Sequence, residues 1–137
     1  MKQFIISVVV VFVVSMALDF AVHQLLLKAD YERQPIGMFR SESEATRHFP
    51  AMLLAHVFIA VGVTAIYRQG REAGKGWVGQ GIRFGLWFTV ASCLANFLIY
   101  YAVLPIDHLL VIKQILLGGI ATVLVGLTAA ALNRAPA

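Results

Sequence analysis

An all-α fold, a four-transmembrane-helix bundle with up-down-up-down topology and both termini cytoplasmic, is what this sequence predicts. Three observations lead there. Four long apolar runs fill most of the chain, each approaching or exceeding the ~20 residues a helix needs to cross a ~30 Å hydrocarbon core. Hydrophobic residues make up 60% and charged residues 13%, whereas soluble domains use about 45–50% and about 25%. Such a chain in water would expose large sticky patches, so the bilayer is its natural solvent. The runs are also continuous instead of alternating, and too long for the ~10-residue strands of a membrane barrel. At 137 residues the chain suits one integral membrane domain, residues 1–137.

The first span is Phe4–Leu27. Met1-Lys2 before an apolar run, with Ser15-Met16-Ala17 inside it, imitates a secretory signal and its cleavage site. The run continues past that point to Leu27, so an uncleaved first transmembrane helix is expected. A first connection follows, in which Gln34-Pro35-Ile36-Gly37 reads as a turn. Ser41 with Glu44 three residues on reads as a capping box that opens a short surface helix ending near His48. The second span is Phe49–Tyr67, with Pro50 near its start. The connection from Arg68 to Arg83 is glycine-rich and reads as a flexible turn. Its Gly74-Lys75-Gly76 lacks the glycine spacing, the Ser or Thr after Lys and the preceding strand of a phosphate-binding loop. The third span is Phe84–Leu104, and a tight turn at Pro105-Ile106-Asp107-His108 leads to the fourth, Leu109–Leu132.

Small residues predict how these helices meet, because helices in lipid associate through close backbone approach. Gly81, Gly85, Thr89, Ser92 and Asn96 form one stripe, and Gly118, Thr122, Gly126 and Ala130 another. The same seams would serve a homo-oligomer. Orientation rests on lysine and arginine, which favour the cytoplasmic side. The first two connections carry four each, so Lys2, Arg134 and the density of Arg68, Arg71, Lys75 and Arg83 decide. They favour both termini and the second connection in the cytoplasm.

The net charge of +4 reflects that distribution, not a nucleic-acid surface, since no basic stretch is interleaved with exposed aromatics. One cysteine, Cys93, excludes an intramolecular disulfide and any CxxC motif; mid-helix, it reads as an inert core residue. No serine is paired in sequence with a base, and no acidic pair is placed for hydrolysis, so enzyme chemistry is not expected.

Each span also carries polar residues at a similar level. Asp19, His56, Asn96 and the pair Lys113-Gln114 lie about 8–12 Å inside the outer boundary of their helices at ~1.5 Å per residue. Lipid does not solvate such groups, so they should turn inward and meet. Asp19 and His23 share a helix face, four residues apart. The expected network is Asp19, His23, His56, Asn96, Lys113 and Gln114, with an Asp19–Lys113 ion pair at its centre. It serves either to set helix register or to bind a ligand. As a metal site, His23, His56 and His108 with Asp19 or Asp107 are the residue types for zinc or copper, though none has metalloprotease spacing. A haem b held between His23 and His56 is a further arrangement, with depths that differ by about 4 Å at helical rise. No cofactor is the simplest expectation. A transport path is disfavoured because the inner half of each span reads as almost wholly apolar.

Asp19-x-x-x-His23 with the following Leu-Leu-Leu-Lys, Tyr31, Gly37-Met38-Phe39-Arg40, and Gly81-Ile82-Arg83-Phe84-Gly85-Leu86 resemble segments of uncharacterised small bacterial four-helix inner-membrane proteins. The resemblance implies the topology and a multi-pass location in a bacterial inner membrane, and adds no chemistry. The resulting expectation is a non-catalytic accessory or ligand-binding component with a polar pocket in its outer half. Its partners are the lipid bilayer and either a larger membrane complex or further copies of itself. The alternative is a metal- or haem-binding redox or transport protein that uses its intramembrane histidines.

Overall fold

A computed structural model describes residues 1–135, and among these every regular element is helical. Four helices are long and apolar enough to cross a membrane: α1 (Lys2–Leu26), α3 (Glu42–Gly70), α4 (Trp77–Val103) and α5 (His108–Leu132). A short α2 (Lys28–Glu32) follows α1.

Along α1, Ser7, Val11 and Ser15 recur every fourth residue and form its buried face. Its last six residues, Ala21–Leu26, open into a wider π-helical turn. The amide of Leu27 closes that turn on the Val22 carbonyl at 2.9 Å, and Leu27 itself is fully buried. The chain then folds back over the bundle end as α2.

The capping box at Ser41 and Glu44 is present, but it opens α3 itself instead of a separate surface helix. Helix α3 runs unbroken through Pro50. A helical proline loses one backbone hydrogen bond, which apolar spans tolerate where neighbouring groups compensate.

Helix α4 begins at Trp77, seven residues before the expected boundary at Phe84. Gly79 and Gly81 are therefore helical, and the connection from α3 shrinks to 71–76. Specific contacts hold it. The buried Gln80 amide grips it, accepting from the Glu72 amide at 2.6 Å and donating to the Glu72 and Lys75 carbonyls at 3.1 and 2.9 Å. Gly74, with φ of +73°, supplies the left-handed residue the turn requires. Glu72 pairs with Lys75 and Arg83, and those two contacts hold its carboxyl below the ordinary range.

A second π-helical turn interrupts α4 at Thr89–Leu94. Thr89 and Ser92 hydroxyls donate to the carbonyls of Gly85 and Phe88 at 2.8 and 2.6 Å, satisfying oxygens that the wider turn loosens. Asp107 caps α5 by accepting from the Leu110 amide at 3.3 Å.

Helix α5 is central, packed along α4 and against α1. The expected small-residue stripes do face each other. A methyl group built on Gly85 would lie 2.6 Å from Val123 Cα, and one on Gly126 would lie 2.7 Å from the Gly81 carbonyl oxygen. Backbone thus meets backbone along the α4–α5 seam. Helix α3 packs on α1, whereas α3 and α4 approach only loosely. They meet near the chain termini, where the Tyr67 and Phe84 rings stand edge-on at 5.6 Å.

Both termini lie at one end of the bundle. Gln3 Nε2 donates to the Leu132 carbonyl at 2.9 Å, Ser7 to Asn133 at 3.3 Å, and Arg71 to the Asn133 carbonyl at 3.0 Å. One apolar cluster (Val11, Ala60, Val63, Tyr67, Val125, Ala129, Ala130) fills this terminal end. A second (Val22, Leu27, Ile106, Leu110, Val111) fills the opposite end. Between them the packing opens.

Candidate ligand cavity

The space between the two clusters is a cavity of about 400 Å³ walled by all four long helices. Asp19, His56 and Asn96, placed at one level by the sequence, all line it, as does His23, expected one turn nearer the outer surface. So do residues from both π-helical turns: Val22 and His23 from α1, Ser92 and Cys93 from α4. A wider turn re-aims the side chains it carries, and here both re-aim them onto the same space.

Asp19 is the centre of the polar wall. One carboxylate oxygen, Oδ1, lies 3.4 Å from His23 Nε2, and the other, Oδ2, lies 3.8 Å from His56 Nε2. The remaining ring nitrogens define the proton positions. His56 Nδ1 is 2.9 Å from the Met52 carbonyl oxygen, which can only accept, so Nδ1 carries the hydrogen. In neutral His56, Nε2 is then a bare acceptor facing a carboxylate.

On the other side, Gln114 Nε2 donates to the Tyr31 hydroxyl at 2.9 Å, and that hydroxyl stands 2.5 Å from His23 Nδ1. The Tyr31 hydrogen therefore goes to His23 Nδ1, leaving Nε2–H to face Asp19. Burial pushes the Tyr31 phenol above its ordinary value; the Gln114 bond opposes this and the Asp19 charge adds to it. The phenol thus stays a donor. The result is a directed pair of hydrogen bonds, Gln114 to Tyr31 to His23, whose Nε2 faces Asp19 at 3.4 Å, with a wider gap between Asp19 and His56.

Several expected contacts are absent. Lys113 does not pair with Asp19. Its ammonium lies 2.8 Å from both carboxylate oxygens of Asp30, which α2 carries back over the bundle end. The long lysine stem lets the charge reach the edge of the apolar zone, where it meets a carboxylate at less desolvation cost than a deeper one would impose. Gln114 is buried but belongs to the Tyr31 file, not to the cavity wall. Asn96 lines the cavity from an exposed face of α4 and has no hydrogen-bond partner among the described residues. Cys93 is only half-buried, not a core residue, and lines the cavity with its Sγ 3.8 Å from the Ile115 carbonyl.

His108 sits outside the cavity, 3.3 Å from Asp107 on the bundle edge, so His23, His56 and His108 do not converge. Among the described residues no three His, Cys, Asp or Glu side chains form a group able to hold a metal ion. His23 and His56 both turn Nε2 toward one carboxylate, and their Nδ1 atoms are engaged elsewhere. Neither ring presents a free nitrogen across a gap suited to a flat haem.

Tyr31 belongs to this polar file although sequence reasoning gave it no place there. It lies outside the apolar spans, and only the fold-back of α2 brings it beside His23. It also separates two spaces. A wider vestibule of about 790 Å³ at the non-terminal end is lined by Tyr31, Lys28, Glu32 and Arg40, and it shares His23, Phe97 and Tyr100 with the cavity. No family model, curated protein or solved structure matches the chain.

Proposed function

We propose that the chain is a small multi-pass protein of a bacterial inner membrane, with both termini and the 71–76 connection cytoplasmic, and that it is a non-catalytic ligand-binding component. The orientation is supported by Lys2, Arg68, Arg71, Lys75, Arg83 and Arg134 around the terminal end, which the positive-inside rule places in the cytoplasm. The cavity then lies toward the outer side, below the vestibule. One observation carries the binding reading: Asp19 lines a roomy, mostly apolar cavity in which its Oδ2 has no hydrogen-bond donor among the described residues. A carboxylate that served only to set helix register would be expected to have both oxygens satisfied by protein donors, since at a level surrounded by lipid an unmade hydrogen bond to a charge is costly.

Native mass spectrometry of the full chain, released from mild detergent in the mass spectrometer, tests this. The expected result is a bound small molecule lost in a variant whose cavity is filled, Ser92→Phe. A bare mass for the unaltered chain, with unchanged stability in the filled variant, would overturn the reading and leave a structural scaffold.

The transport branch of the alternative gains support from the terminal half, which is less apolar than its sequence suggests. The hydroxyls of Thr64 and Tyr67 are buried without a partner among the described residues, on the α3 face that carries His56. Orphan hydroxyls of this kind mark places for internal water. Fully buried Val11 and Ala60, with Val63, still close the level between them and the cavity. Ligand binding therefore remains the first reading.

A further inference from the structure

The cavity's electrostatics define a class of ligand, given the binding reading above. Its lining contains one carboxylate and no lysine or arginine among the described residues. The cation expected to neutralise Asp19, Lys113, is spent on Asp30 instead. Oδ2 of Asp19 and Nε2 of neutral His56 are both acceptors and stand 3.8 Å apart, too far for a direct hydrogen bond and unable to share a proton donor unless one is supplied. A group with several N–H donors and a positive charge would satisfy both at once. Ser15, Ser92 and Thr122 add hydroxyls to the wall, but Leu18, Val22, Phe88, Phe97, Ala121 and Val125 make most of it apolar, which favours an apolar body.

Access points the same way. Ile59 on α3 and Asn96 and Tyr100 on α4 line the cavity and are also exposed. They flank the seam where α3 and α4 approach only loosely. The mouth thus opens sideways, at a level where the surrounding surface is apolar, and the Asn96 amide stands in it as an unoccupied polar contact.

We propose that the cavity binds a small lipophilic primary amine in its protonated form, entering between α3 and α4 with its ammonium placed between Asp19 Oδ2 and His56 Nε2. The apolar tail lies against Phe88, Phe97 and Val125. Charge complementarity, not tail shape, is the selective element, because one charge-assisted hydrogen bond distinguishes an ammonium from a hydroxyl of similar size.

The test compares 4-phenylbutylamine, 4-phenylbutanol and 5-phenylpentanoate by calorimetric titration into the full chain in lipid nanodiscs, with empty nanodiscs subtracted. The amine is expected to bind about tenfold or more tightly than the alcohol, the ratio that one charge-assisted bond produces, and the acid not measurably. Asp19→Asn should bring the amine to the level of the alcohol. The comparison on the unaltered chain needs no variant and so is independent of folding defects. Equal binding of amine and alcohol would overturn the ammonium assignment while leaving a ligand cavity. Preferential binding of the acid would overturn it too. Absence of binding by all three would overturn it as well, and a bound mass in the native spectrum would then show that the cavity serves a different ligand class.

Discussion

At the scale of single residues, the position of one lysine redefines the polar layer. Lys113 and Asp19 lie at similar depth, which suggests a pair, but α2 brings Asp30 within 2.8 Å of the Lys113 ammonium. The pair is partly exposed, with the Lys113 side chain at 48%, so its contribution is modest. Lys113→Leu is expected to lower stability by under about 1 kcal/mol, the range of exposed ion pairs. A double-mutant cycle read by thermal unfolding in detergent separates the partners. Lys113→Leu should couple to Asp30→Asn and be additive with Asp19→Asn. Coupling to Asp19 instead would restore the deeper pair and remove the free carboxylate on which the ammonium site depends. The same residues explain what sequence reasoning missed. Asp30 and Tyr31 are ordinary loop residues by composition, and only the buried anchor Leu27 turns them over the bundle end.

At the scale of elements, the glycines of α4 divide by what faces them. Gly85 has the Val123 backbone where its side chain would be, whereas Gly79 has open space. Gly85→Ala should therefore destabilise by about 1–3 kcal/mol, as overpacking of a tight contact does. Gly79→Ala should stabilise by up to about 1 kcal/mol through helix propensity alone. Unfolding of both variants in mixed detergent checks the contrast, and equal effects would show that the α4–α5 seam is looser than the structure has it. The seam was readable in sequence as a close helix contact, because small residues at four-residue spacing permit backbone approach, although the same spacing also suits a homo-oligomer. The start of α4 was not, because Gly79 and Gly81 read as loop residues until the close approach to α5 explains the latter. The two π-helical turns left no sequence signal either. They depend on which carbonyls the Thr89 and Ser92 hydroxyls and the fold-back at Leu27 can satisfy.

At the scale of the whole molecule, sidedness and the location of the hollow set the route by which a ligand enters. With Cys93→Ala removing the native thiol, Ser43→Cys and Ala73→Cys place single thiols at opposite ends of the bundle. A membrane-impermeant maleimide applied to intact bacterial cells should label Ser43→Cys directly and Ala73→Cys only after permeabilisation. The reverse pattern would put the vestibule in the cytoplasm and invert the proposed route to the cavity. The hollow itself follows from packing. Each end of the bundle is filled by its own apolar cluster and tied by polar contacts, Gln3, Arg71 and Gln80 at the terminal end and Tyr31 with Gln114 at the other. The middle is left with small side chains and histidines that do not fill it.

The residue pattern alone indicated four helices long and apolar enough to cross a membrane, small-residue seams on α4 and α5, and a common level for Asp19, His56 and Asn96. Those features are local: span length, composition and helical spacing set them whatever the chain does elsewhere. Which charges meet emerged only on folding, because ion pairing in a bundle depends on helix rotation and on the path of connecting segments, neither of which leaves a periodic trace. Folding sent Lys113 to Asp30, moved His108 to the edge, brought Tyr31 to His23, and left Asp19 facing an open cavity beside a histidine that cannot donate to it in its neutral form.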